Sequence, residues 1–108
     1  MIDPNAIYHK LQVAAEEWAD LDGKASLLEE TKKTIAAQLT LEQIRKGDTA
    51  KAAECAALSS FEYGNHVSAM VEARRLANRA KGRLEAARAW FDAVRTVEST
   101  KRAEMNIR

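Results

Sequence analysis

The sequence predicts an all-α protein: an antiparallel helical hairpin, similar to a coiled coil, with a short connecting helix. Two stripes of apolar residues recur at alternating steps of four and three, one before and one after a break at residues 47–60. This spacing keeps one line of side chains facing a neighbouring helix. Ala, Leu, Glu, Lys and Arg dominate the composition and only one Pro occurs, which is typical of long helices.

The two stripes define the expected seam between the long helices. Large residues in one stripe face small residues in the other, which allows close approach and helps to fix the register. Lys32 is the charged member of the first stripe, and its amine either extends to solvent or contacts a partner. The first stripe comprises Ile7, Leu11, Ala14, Trp18, Leu21, Ala25, Leu28, Lys32, Ile35 and Leu39. The second comprises Met70, Ala73, Ala77, Ala80, Leu84, Ala87, Phe91 and Val94.

Three helices are expected within a single helical-hairpin domain that spans residues 1–108. Their approximate ranges are 4–46, 49–58 and 60–105. Asp3 precedes a proline at the first helical position and is therefore placed to cap the first helix.

The connection between the long helices contains several cap signals. Gly47 is expected to end the first helix in the left-handed conformation, and Asp48 to cap the short helix. Ser59 and Glu62 have the spacing of a capping box for the third helix. Gly23 lies inside the first helix, where we expect close packing or a slight bend.

A row of basic residues follows the second stripe at intervals of seven. With the stripe at heptad positions a and d, the row occupies e. Residues 63–108 carry 10 basic and 5 acidic side chains, whereas residues 1–62 carry 7 and 11. The row comprises Arg74, Lys81, Arg88, Arg95 and Arg102. It either meets carboxylates of the first helix or follows a phosphate backbone or an acidic protein face. The candidate carboxylates are Asp20, Asp22, Glu29 and Glu30.

A second apolar flank lies beside the seam, at g positions of the third helix and c positions of the first. A stripe wider than a coiled-coil seam indicates more than one neighbour. We expect this flank to form a dimeric four-helix-like bundle, while cover by the short helix or by a different protein stays open. Trp90 is the best anchor, since Trp18 lies in the seam. The flank comprises Leu76, Trp90, Val97, Val13, Leu27 and Leu41, with Ile44 nearby.

Catalytic chemistry is not indicated by the sequence. His9 and His66 are far apart, and the four glycines do not form a phosphate-binding loop. We therefore expect no catalytic residue, no metal site and no cofactor. Cys55 has no partner for an internal disulfide, and its alanine-rich surroundings favour a buried or half-buried thiol.

The hydropathy of the chain favours a cytoplasmic protein. No apolar run approaches the roughly 18 residues of a membrane span. The opening residues, Met1-Ile2-Asp3-Pro4, are not typical of a signal peptide. We expect no membrane association.

Two segments resemble small uncharacterised helical proteins of bacteriophages and prophages. The first reads Ser60-Phe-Glu-Tyr-Gly-Asn-His-Val-Ser-Ala-Met-Val-Glu-Ala-Arg-Arg-Leu-Ala-Asn, and the second is Phe91-Asp-Ala-Val-Arg-Thr-Val-Glu-Ser-Thr-Lys-Arg-Ala-Glu-Met. The similarity is most evident in the C-terminal half. Those proteins are often encoded among recombination or replication genes. The resemblance implies an accessory phage protein in the cytoplasm of a bacterial host.

These features lead to two hypotheses of function. The first is a non-enzymatic accessory protein that forms a homodimer and binds an unidentified protein through helix faces. The alternative is a nucleic-acid-associated accessory of a phage recombination or replication module, in which the basic row contacts phosphates.

Overall fold

The protein consists of three α-helices in the computed structural model, which describes residues 3–107. Helix α1 is Pro4–Arg45, α2 is Ala50–Leu58 and α3 is Phe61–Ile107. No strand occurs within these residues. The prediction of an all-α fold is confirmed.

Helix α1 begins at the cap expected from the sequence. The Asp3 carboxylate accepts a hydrogen bond from the Asn5 amide at 3.0 Å, and the Asp3 carbonyl accepts one from the Ile7 amide. The first bond satisfies an amide that has no intrahelical partner, and the second is the first regular i→i−4 bond of the helix. Asp3 therefore fixes the start of the helix.

The exit from α1 is a Schellman motif centred on Gly47. Its φ of 109° lies in the left-handed region, where a side chain would be strained. The Gly47 amide donates to the Ile44 carbonyl at 3.0 Å, and the Asp48 amide to the Gln43 carbonyl at 3.1 Å. The expected left-handed exit is confirmed.

Two of the expected caps are displaced by one residue. Thr49, not Asp48, caps α2, because its hydroxyl accepts from the Ala52 amide at 3.3 Å. Asp48 belongs to the Schellman motif instead. The displacement arises because that motif uses the residue after the glycine to close the previous helix.

The predicted capping box at Ser59 is also wrong. Ser59 ends α2, and its hydroxyl donates to the Cys55 carbonyl at 2.8 Å. The next residue, Ser60, caps α3 by accepting from the Tyr63 amide at 3.2 Å. With two adjacent serines available, one closes the short helix and the other opens the long one.

The chain divides into two compact units, each built from parts of α1 and α3. The connector unit is Asp20–Ala77 and includes α2. The terminal unit consists of the described residues of Met1–Ala19 and Asn78–Arg108. Each unit has its own small core.

Alanine forms most of the core of the connector unit. Ala25 and Ala77 are fully buried, Ala73 is nearly so, and Leu21 and Leu28 pack against them. A methyl side chain at a seam allows the two helix backbones to approach closely. In α2 the buried residues are Ala53 and Ala57.

The terminal unit buries Ile7 from α1 and Ala80 and Leu84 from α3. These are stripe positions. Every residue of both predicted stripes is buried or half-buried. The heptad period therefore identifies the inward side of both long helices.

The expected burial of Cys55 is wrong, and so is close packing at Gly23, one of the two expectations for that residue. Cys55 is exposed, because the buried alanines of α2 are Ala53 and Ala57, which leaves Cys55 on the outward side. Gly23 is exposed as well, and a Cβ atom added there would meet nothing within 4 Å. The glycine is therefore not needed for close packing.

We predict that Gly23→Ala raises the free energy of unfolding by about 1 kcal/mol, since alanine loses less backbone entropy than glycine in a helix. Gly47→Ala is the matched control, and we expect it to lower stability because of the positive φ. Chemical denaturation of both variants tests this pair. A loss of stability in Gly23→Ala would contradict the prediction.

Candidate functional site

The predicted apolar flank is exposed in the connector unit. Leu76 is 37% exposed, Leu27 is 60% and Leu41 is 49%. Beside Leu76 lies an open groove of about 250 Å³. Its lining residues are Leu21, Lys24, Leu28, Ala69, Glu72, Ala73 and Leu76. Seam residues form part of this lining, so an incoming apolar side chain would contact the seam directly.

The flank is equally exposed in the terminal unit. Trp90 is 47% exposed, Val97 is 54% and Val13 is 48%. Trp18, in contrast, is half-buried at its stripe position. Each of these three exposed apolar side chains gains free energy when another apolar surface covers it.

Helix α2 lies beside the flank without covering it. A groove of about 400 Å³ separates α2 from the end of α1. Leu41 and Ile44 line this groove and remain 49% and 41% exposed. Leu58, at the end of α2, is 47% exposed. The short helix therefore leaves about half of each of these side chains in contact with solvent.

Arg74, the first member of the basic row, is held by three residues of α1. One terminal guanidinium nitrogen, Nη1, donates to Asp22 at 2.7 Å. The other two nitrogens contact both carboxylate oxygens of Glu29, at 2.5 and 3.2 Å. Nη2 also donates to the Ser26 hydroxyl at 3.3 Å. Of the two interpretations of the basic row, the structure shows pairing with carboxylates of α1 in the case of Arg74.

The electrostatics of this cluster favour the charged forms of its members. The hydrogen bond from Arg74 lowers the pKa of Glu29 below its ordinary value, with desolvation and the nearby Asp22 acting in the opposite direction. Hydrogen bonds to Glu29 and then to Asp22 raise the pKa of Arg74. Arg74 is 31% exposed and the two carboxylates about 40%, so salt will partly screen these pairs.

The other four members of the row are exposed in the terminal unit. Within residues 3–107, Lys81 and Arg88 make no ion pair. Arg95 lies over the Phe91 ring at 5.7 Å, a cation–π distance. Arg102 approaches Glu98 on its own helix at 4.0 Å. These four residues are not held by α1 in the described part of the chain.

Two cross-helix contacts were missed by the sequence reasoning. In the connector unit, His66 Nε2 lies 2.8 Å from the Leu28 carbonyl, which only accepts, so Nε2 carries the hydrogen. In the terminal unit, Arg83 donates to Glu17 at 2.7 Å. Continuation of the heptad would have found both contacts, since His66 falls at d and the ion pair joins two g positions.

The described residues contain no group of three His, Cys, Asp or Glu side chains that could hold a metal ion. Nor is any helix in the described part of the chain both long and apolar enough to cross a membrane.

Comparison with known proteins gives no family assignment. No family model, no curated protein and no solved structure matches the chain. The resemblance of Ser60–Asn78 and Phe91–Met105 to phage proteins stays a prediction.

We predict that the Arg74 cluster makes stability depend on acid pH. A carboxylate with a lowered pKa stabilises the fold above its unfolded-state pKa, and this contribution is lost as the pH falls through the folded-state value. The stability difference between wild type and Glu29→Gln should therefore be full at neutral pH and shrink below the ordinary pKa of 4.5.

Glu30→Gln is the matched control, because Glu30 is the exposed neighbour of Glu29 and makes no ion pair with a described residue. Its stability difference from wild type should not vary over the same pH range. Thermal unfolding at a series of pH values measures both. Parallel curves for wild type and Glu29→Gln would contradict the assignment.

Proposed function

We propose that this protein is a non-enzymatic accessory protein that works by helix-face association. In this proposal α1 and α3 form an antiparallel hairpin, and the apolar flank joins two copies into a four-helix-like homodimer. A further protein partner then binds to the dimer at the flank. The exposed flank of Leu76, Trp90 and Val97 is the observation that carries the proposal.

The order of the cross-helix contacts supports an antiparallel arrangement. Within the connector unit, His66 contacts Leu28, and the later residue Arg74 contacts the earlier residue Asp22. Within the terminal unit, Arg83 contacts Glu17. In the connector unit, higher positions on α3 thus meet lower positions on α1, as expected for helices that run in opposite directions.

The small core supports association. Within the described residues, eight apolar residues are buried and six of them are alanine. No large side chain among them is fully buried. Burial of apolar surface is the main source of stability, and small helical scaffolds commonly supplement a thin core by oligomerisation. A second copy on the flank would supply the missing apolar contact.

A phage or prophage origin and a place in the bacterial cytoplasm are part of the proposal. They are supported by the resemblance of the C-terminal half to small phage proteins. Accessory proteins of this kind act on a partner by binding.

We predict that Trp90→Ala weakens self-association at least about tenfold, because tryptophan is one of the residues that most often dominate the energy of an interface. Leu76→Ala should weaken it as well, through the loss of buried apolar area. Sedimentation equilibrium over a concentration series measures the effect. Both side chains are more than a third exposed, so the helical content of the variants should match wild type.

Val71→Ala is the matched control. Val71 is an exposed apolar residue of α3 in the same unit as Leu76, at 59% exposure. It occupies heptad position b, on the other side of the seam. Its substitution should leave association unchanged. A wild-type protein that stays monomeric at all concentrations, or an equal loss in Val71→Ala, would refute the dimer.

A further inference from the structure

We propose that four basic residues of the terminal unit form a contact surface for the phosphates of a nucleic acid. These residues, here called the terminal row, are Lys81, Arg88, Arg95 and Arg102. The inference does not depend on self-association, since the terminal row follows the e side of the α3 seam and the apolar flank follows the g side.

The terminal row has two members without an ion pair and two that make only contacts within α3 among the described residues. Lys81 and Arg88 are exposed and make no ion pair within residues 3–107. Arg95 lies over the Phe91 ring, and Arg102 approaches Glu98 at 4.0 Å; within residues 3–107 neither is paired with a carboxylate of α1. In the connector unit, by contrast, α1 supplies two carboxylates and a hydroxyl to Arg74. The positive charge of the terminal row thus remains available to an outside anion.

The residues at the e positions of α1 explain why, among the described residues, Arg74 is paired with carboxylates of α1 and the terminal row is not. In the terminal unit, Arg83 pairs with Glu17, so the g side of α3 faces the g side of α1. The e sides of both helices then lie together on the opposite side of the seam. There α1 contributes Tyr8 and Ala15, neither of which neutralises a cation.

The chemistry around the terminal row favours a nucleic acid over a protein. Protein interfaces are centred on apolar and aromatic anchors, whereas phosphate contacts use Arg, Lys and small polar side chains. The b positions next to the terminal row are occupied by Asn78, Glu85, Asp92 and Ser99, without an apolar residue. Glu85 and Asp92 reduce the local potential, but neither makes an ion pair with the terminal row.

The spacing of the terminal row suits an extended anion. Residues seven apart on an α-helix are separated by about 10.5 Å along its axis, so the terminal row spans about 30 Å. Three of its four members are arginine, whose planar guanidinium matches phosphate with two parallel hydrogen bonds. Tyr8, on the same side and 69% exposed, is available to stack on an unpaired base.

The test is fluorescence anisotropy with the full chain, a labelled oligothymidylate and a labelled mixed-sequence duplex of equal length, over a salt series. Four phosphate contacts predict a slope of log affinity against log salt of about −3.6 on the duplex and about −2.8 on the single strand. Duplex affinity should therefore fall about a hundredfold between about 50 and about 200 mM salt.

Two double variants distinguish the contribution of the terminal row to DNA binding from that of positive charge elsewhere on the protein. Lys81→Gln with Arg88→Gln removes two charges of the terminal row and should reduce the duplex slope by about 1.8. Lys10→Gln with Arg79→Gln removes one lysine and one arginine that are also exposed, from positions g and c on the flank side. This control should keep the wild-type slope. Circular dichroism verifies that both fold alike.

Several outcomes would overturn the proposal. They are the absence of binding to either nucleic acid at about 50 mM salt, an equal loss in the two double variants, and competition by polyglutamate as effective as by unlabelled DNA. The last result would assign the terminal row to an acidic protein. Since Leu76→Ala and Trp90→Ala leave the terminal row intact, a failed dimer with normal DNA binding would affect only the proposed self-association.

Discussion

Close contact between helices through alanine is the constraint on which the rest of this structure depends. Ala25 and Ala77 are fully buried in the connector unit, and Ala80 is nearly so in the terminal unit. Alanine fills little volume, so its burial requires the backbones to lie near each other. Each methyl group also removes little apolar surface from water. The seam therefore determines alignment while it supplies modest stability, and larger apolar residues remain outside it.

The exposed flank is a consequence of this arrangement. At a close seam the positions beside a and d are near enough to touch a neighbouring helix but cannot be enclosed by a single partner. Polar residues in such positions form the Arg74 and Arg83 contacts, whose members are about one-third to one-half exposed. Apolar residues in equivalent positions, such as Leu76 and Trp90, have no comparable partner in the described part of the chain. The same geometry thus produces both cross-helix ion pairs and an exposed apolar surface.

Periodicity alone was sufficient to predict the all-α fold and the inward side of each long helix, because heptad spacing is a direct record of which side chains face a neighbour. The caps were harder to place. Thr49 and Ser60 were missed by one residue, since adjacent polar residues compete for each cap and the choice depends on the backbone of the preceding turn. Cys55 was placed wrongly because an alanine-rich segment has no clear inward side.

From the sequence, two kinds of contact could be proposed for the basic row, with carboxylates of α1 or with an outside anion, but the sequence could not decide between them for each residue. Heptad letters tell which sides of two helices meet, but not which turn of α1 lies level with Arg74. That axial alignment follows from the packing of the alanine seam and is not encoded in any single residue. Arg83 and Glu17 differ in this respect: both lie at g, so the heptad itself indicates that their sides of the two helices meet. The separation of Arg74 from the other four basic residues depends entirely on where the carboxylates of α1 occur.

The contacts of Arg74 with Asp22, Ser26 and Glu29 limit where the length of this chain can change during evolution. Because side chains within α1 and α3 fix the alignment, the connecting segment does not have to set it, and a change in length is tolerated best there, outside the caps and the buried Ala53 and Ala57 of α2. A single residue inserted within α1 would instead rotate everything beyond it by about 100° and carry Glu29 away from the guanidinium. In related sequences, insertions and deletions should therefore occur mainly in the connecting segment and be rare in the long helices.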